Sequence, residues 1–342
     1  RGYRLLVPPL PLVPLVLPAA AAPGPDGTAE DLHQKGRAAL SGQPGPAALQ
    51  QARLYFERAV QSAPDHAAAW SGLARTYLLM VLLGLGRGSE ILPRARDAAS
   101  RAVELDPERA EAHVALGAVR FLHDHDFAAA EAELRRAVDL APGDALAHRW
   151  YARLLSTLGR HDEALAEARM ALAADPLSLP VRRDLIEVAF LARRYAEALA
   201  ESRQLFDIDP HLPDVQLGLV WIYALQGKEP EAYDAFRRGL DLLGVGPPIL
   251  ERARAAFESG GLQAVLRLWA ELLEHEAELG QKNQIDLLNL YALLGERERC
   301  FALLERAYAE GNPYLLALSV SPVFDSLRTD PRYARLLERL GL

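Results

Sequence analysis

The chain has 342 residues, half of them hydrophobic but only 7% aromatic, and its abundance of alanine, leucine, arginine and glutamate is helix-forming material with little strand vocabulary. A net charge of −8 excludes overall attraction to phosphate backbones or anionic lipid. One cysteine, Cys300, excludes an intrachain disulfide and a cysteine-rich zinc site.

Residues 5–22 are apolar, but Pro8, Pro9, Pro11, Pro14 and Pro18 interrupt any helix that could satisfy its backbone in a bilayer, so no membrane span is expected. Residues 8–28 read as a Pro/Ala-rich linker. A competing reading is a signal segment, with Arg1 and Arg4 ahead of the apolar stretch and Ala20, Ala21 and Ala22 as its cleavage site. The linker implies a cytoplasmic protein, and the signal segment a periplasmic or secreted one.

From about residue 29 the chain repeats. Pro64, Pro107, Pro142, Pro176 and Pro210 each follow a helical pattern, and the last four stand 35, 34 and 34 residues apart. The longer first interval holds an inserted turn with Gly84, Gly86 and Gly88. Within each period the second helix carries a triple at spacings of four and three: Ala52, Phe56, Ala59; Ala95, Ala99, Ala102; Ala130, Leu134, Ala137; Ala164, Ala168, Ala171; Ala198, Ser202, Leu205. Such spacing keeps one stripe on one face, where it packs on the neighbouring helix. In the first helix, small residues such as Gly117 allow that neighbour a close approach. Asp106-Pro107, Ala141-Pro142, Asp175-Pro176 and Asp209-Pro210 end each second helix, since proline cannot donate the backbone hydrogen bond.

Six copies span residues 29–244. A looser region, 245–312, holds helix pairs divided at Gly260-Gly261 and a last copy in which Cys300 takes the small buried position. Residues 313–342 read as a C-terminal helical cap, which an open array needs. Period and offsets together resemble the tetratricopeptide family over roughly four fifths of the chain. That resemblance implies an all-α, right-handed superhelical solenoid of helix pairs acting as a protein-protein interaction scaffold. The opening Arg1-Gly2-Tyr3-Arg4-Leu5-Leu6-Val7-Pro8 is similar to the last strand of bacterial OmpR/PhoB-type winged-helix domains. Residues 1–7 would then be the remnant of such a domain. The tail, from Pro322-Val323-Phe324 to Asp330-Pro331-Arg332-Tyr333, resembles the end of bacterial proteins that join a winged helix, or a Ser/Thr kinase, to such an array. The implied function is the regulatory part of a bacterial transcription regulator whose DNA binding resides in the winged helix. The alternatives are a kinase's regulatory tail and a periplasmic or secreted adaptor.

No enzyme site is legible. His275-Glu276 opens like a zinc-protease helix, but Leu279 stands where the second histidine must fall. His123, Asp124, His125 and Asp126 sit in a turn between helices, where polar residues are expected without a metal. No catalytic residue, metal or cofactor is expected. The candidate binding residues come from the first helices, where side chains four apart project together. They are Arg75, Arg149, Arg153 and Arg183, with Phe121, Phe190 and Trp221 as flanking aromatics. Guanidinium groups hold carboxylates bidentately, so the expected partner is a protein or peptide of acidic character, with no nucleic acid bound through the visible chain. The paired basic residues resemble carboxylate-clamp tetratricopeptides, although the clamp's asparagines are replaced by Arg75 and Ala118. The competing structural role for these arginines is pairing with Asp184, Glu187 or acids of the next repeat.

Overall fold

The computed structural model describes residues 27–41, 45–275 and 281–342. The winged-helix remnant expected at 1–7 and nearly all of the linker lie outside the described residues. The chain forms two compact units: one runs to Leu154 and takes in Glu310–Pro313, and the other comprises Leu155–Ala309 and Tyr314–Leu342. Among the described residues all regular structure is helical.

The N-terminal unit contains α1 (Ala29–Ala39), α2 (Pro46–Ser62), α3 (Ala67–Leu82), α4 (Gly88–Leu105), α5 (Ala110–Val119) and α6 (Phe127–Leu140), and most of α7 (Ala145–Thr157). From α1 to α6 each helix packs on the next in sequence. Thr28 opens α1 with a capping box, its hydroxyl accepting from the Asp31 amide while the Asp31 carboxylate accepts from the Thr28 amide. The stripe Ala52, Phe56, Ala59, Ala95, Ala99, Ala102, Ala130, Leu134, Ala137 is wholly buried. Small residues opposite it set the helix spacing, because a Cβ on Gly117 would stand 2.7 Å from Leu134, and one on Gly36 or Gly72 would stand 2.7 or 2.3 Å from the Phe56 ring. Phe56 is therefore held between α1 and α3.

The second unit continues with α8 (His161–Ala174), α9 (Leu179–Leu191), α10 (Tyr195–Ile208), α11 (Pro213–Leu225), α12 (Glu229–Leu242), α13 (Pro247–Glu274), α14 (Gln281–Leu294) and α15 (Arg297–Ala309). The length of α13 is nominal, since Gly260 and Gly261 leave helical geometry and divide it into two helices. Cys300 is fully buried and donates to the Leu288 carbonyl at 3.8 Å, and burial pushes its thiol up to about 12. It is a structural thiol.

A 34-residue rhythm runs through both units. His125, Gly159, Arg193, Gly227, Gly261 and Gly295 all have positive φ, between 52° and 74°, and each stands 34 residues after the one before. They mark the turn from the first to the second helix of successive pairs, where one left-handed residue closes the first helix. Glycine fills four of the six positions, as its lack of a Cβ favours. A second rhythm lies in side chains six residues after the helix-ending prolines. Trp70, His113, His148 and Arg182 donate to the carbonyls of Pro64, Pro107, Pro142 and Pro176 at 3.0, 2.8, 3.0 and 3.4 Å.

Two 3-10 segments, Pro313–Ser319 and Pro322–Leu327, precede α16 (Pro331–Arg339). They bury Leu315, Leu316, Leu318, Val323, Phe324 and Leu327. Arg332 and Arg339 reach back to Glu298 and Glu305 of α15, at 2.9 and 2.8 Å. In the same unit Ser319 donates to the Thr157 carbonyl at 3.1 Å and Asp325 pairs with Arg193 at 2.7 Å, so this segment also reaches the turns after α7 and α9.

Candidate functional site

The first helices of the N-terminal unit gather charge. Arg75 of α3 is exposed and makes no hydrogen bond or ion pair with any described residue. Desolvation by surrounding chain nevertheless pushes its guanidinium below the usual value. Glu111 of α5 and Asp144 before α7 oppose that shift, whereas Arg149 of α7 and Arg37 of α1 add to it. An arginine that meets water but is crowded by protein, with no carboxylate in contact, is a cation whose charge lacks a close counter-ion. Charged groups of three other helix pairs thus act on one guanidinium.

Arg149 and Arg153 are half-buried, and both already interact within the chain. The Arg153 guanidinium lies over the Trp150 ring at 5.3 Å, a cation–π contact one turn along α7. Arg183, in the other unit, pairs with Asp214 at 3.2 Å. For Arg183 the structural role is realised, with an acid from the next repeat. Arg75, Arg149 and Arg153 belong to the N-terminal unit, and Arg183 to the second.

The aromatic expectations need correction on accessibility. Phe121 falls in a single π-helical turn, Arg120–Asp124, and is 3% exposed. Its ring packs against Phe127, centroids 6.2 Å apart. Trp221 is 8% exposed because it stacks on Trp269 at 4.7 Å and 12°. Neither ring offers a ligand much surface. Phe190 stays half-buried beside Tyr195, at 6.1 Å. Ser71, Val114 and Ala118, at positions that repeat the arginines' offsets, are buried as well.

The turn with the histidine pair is built as a turn. Asp126 caps α6 by accepting from the Ala129 amide at 3.0 Å, and His125 takes the left-handed conformation. A different cluster lies at the start of the N-terminal unit. Glu30, His33 and His66 bring their ligand atoms within 4.8 Å of one another. The Glu30 carboxylate approaches His66 Nε2 at 3.1 Å and His33 Nδ1 at 3.6 Å. The Glu30–His33 pair was readable as one helix turn; His66 comes from the turn before α3. Elsewhere in the unit, His113 hydrogen bonds Glu133 through Nδ1 at 2.6 Å and Pro107 through Nε2 at 2.8 Å. The Glu133 bond raises its pKa in spite of burial.

Residues 121–186 match the sequence model of the tetratricopeptide repeat family. The chain is 28% identical to the transcriptional regulator HilA of Salmonella typhimurium over 131 residues, 38% of this chain and 24% of that protein. It thus spans about a quarter of the length of the curated relatives it matches. Among solved structures, the human IFIT1 dimer with m7Gppp-AAAA aligns with TM-score 0.58 and 16% identity, covering 91% of this chain and 72% of that one. Yeast Tom70 aligns with TM-score 0.53 and 14% identity, covering 94% of this chain and 69% of that one. These likenesses carry the fold, an all-α helical-repeat solenoid.

Proposed function

We propose that this chain is a non-catalytic scaffold that binds a carboxylate-bearing protein or peptide segment on the first-helix face of its N-terminal unit. The observation that carries the reading is Arg75, exposed and crowded but without a contacting acid. An incoming carboxylate would meet a guanidinium already partly stripped of water, with Arg149 and Arg37 adding positive potential and Glu111 and Asp144 limiting which anions fit. Guanidinium and carboxylate match as a bidentate pair. The tetratricopeptide fold, which suits protein binding, supports the same class of partner.

The setting we propose is the regulatory part of a bacterial transcriptional regulator. The partial likeness to the regulator HilA supports it, as does the chain's opening, which resembles the last strand of a winged helix. On this reading the chain itself contributes no DNA contact, and a net charge of −8 agrees.

A fluorescein-labelled peptide rich in aspartate and glutamate, followed by anisotropy, tests the site. A charge-assisted hydrogen bond contributes about 1.5–3 kcal/mol, so Arg75→Ala should weaken binding roughly tenfold or more. Arg75→Lys should recover part of it, since the charge returns without the planar fork. Equal binding by parent and Arg75→Ala would remove the site from consideration.

A further inference from the structure

We propose that Glu30, His33 and His66 form a binding site for a divalent transition-metal ion of the zinc class. Two imidazoles and a carboxylate are the donor set such ions prefer. Metal–ligand bonds of about 2.0–2.2 Å place neighbouring ligands of a tetrahedral ion about 3.3 Å apart; here Glu30 Oε2 stands 3.1 Å from His66 Nε2, its Oε1 stands 3.6 Å from His33 Nδ1, and one ligand atom from each residue falls within 4.8 Å of the others, so a small closure of the side chains would bring all three onto one ion. His33 is 6% exposed, and its Nδ1 is a buried nitrogen without a hydrogen-bond partner, facing Glu30. A buried ring nitrogen left without a hydrogen bond is unfavourable, and an ion held jointly with Glu30 through Nδ1 would satisfy it. The two rings stand 5.3 Å apart, and His33 also lies 5.9 Å from the Phe56 ring. An ion here would therefore join α1 to the turn before α3, around the residue that locks these helices together. Three protein ligands leave the fourth position to water.

Loading would have a local signature. His66 Nδ1 accepts from the Ala69 amide at 3.1 Å, which caps α3. A neutral imidazole that accepts at Nδ1 carries its proton on Nε2 and donates it to Glu30. To bind an ion through Nε2, His66 must shift that proton to Nδ1 and release the Ala69 amide. Metal binding is thereby coupled to the cap of α3, and the Ala69 amide reports it independently of the ion's own spectrum.

The test titrates Co2+ into the metal-stripped, tag-free full chain and follows the visible bands of a four-coordinate ion. Alongside, the amide resonances of a 15N-alanine-labelled sample are recorded as Zn2+ is added. The site predicts one ion per chain, competition by Zn2+, and a shift of the Ala69 resonance at the same equivalence point. His33→Ala and Glu30→Gln should each weaken binding at least tenfold, whereas the double variant His123→Ala/His125→Ala should bind as the parent does. Glu30 is exposed, so its variant serves even where His33→Ala perturbs folding. No saturable Co2+ spectrum, or one kept by Glu30→Gln and lost in the His123/His125 variant, would overturn the assignment.

Discussion

Phe56 offers a sharp test of what sets the spacing of the first three helices. Its ring is fully buried, and a Cβ on Gly36 of α1 or Gly72 of α3 would come within 2.7 or 2.3 Å of it. In Gly72→Ala the ring cannot retreat, because Gly36 closes its other side. Overpacking of this kind costs about 1–3 kcal/mol, and a 2.3 Å approach belongs at the upper end. Alanine in a helix interior recovers about 1 kcal/mol over glycine. The net expectation is a loss of about 1–2 kcal/mol, read as a lower urea midpoint by far-ultraviolet circular dichroism. Phe56→Leu should cost stability alone, but in the double variant it makes room for the new methyl. A double-mutant cycle should therefore show about 1–2 kcal/mol of favourable coupling. A Gly72→Ala protein as stable as the parent, or a coupling near zero, would refute the idea that this ring sets the helix spacing.

Gly227 has φ +69° and open space where a Cβ would stand, so Gly227→Ala should lose about 1 kcal/mol from backbone conformation alone; His125→Gly, at the equivalent turn, should be neutral or stabilising by thermal melt. His113 titrates above its usual value because of its bond to Glu133, with Arg120 also paired to Glu133 and Arg136 nearby. A histidine with a raised folded pKa contributes stability that is complete below its unfolded value of about 6.5 and is lost as pH rises through the folded value. Parent stability measured against His113→Gln should thus show its advantage at mildly acid pH and a smaller one at alkaline pH; an advantage that grew with pH would contradict the assignment. Cys300 should react with a thiol reagent only at the rate of unfolding, and fast reaction of the native chain would show that it is not buried.

The repeat was legible because burial follows a period. Ala52, Phe56 and Ala59, like their counterparts up to Ala198, Ser202 and Leu205, are one helical face, and their recurrence at fixed offsets marks them. The register of the turns was half legible. Gly159, Gly227, Gly261 and Gly295 can be counted in the sequence, but His125 and Arg193 fill the same left-handed position without the residue that normally announces it. The carbonyl bonds after each proline were hidden for a related reason: tryptophan, histidine and arginine look unalike, yet each supplies an N–H at the same place. Helical offsets also name a direction and not an exposure. Ala118 and Trp221 share Arg75's place in their repeats but are covered by neighbours, Trp221 by a ring 48 residues on, at Trp269. Glu30 and His33 share one turn of α1, but His66 joins them only because α1 and the turn before α3 are adjacent in space, which no local spacing encodes.

The binding face is tested most directly by an array of short peptides graded in net charge, probed with the parent chain and with Arg75→Ala at low and physiological salt. The parent should retain peptides with clustered carboxylates, salt should weaken their binding, and Arg75→Ala should lose them while its circular dichroism is unchanged. Retention of the same peptides by both proteins, or a parent profile with no acidic preference, would contradict it.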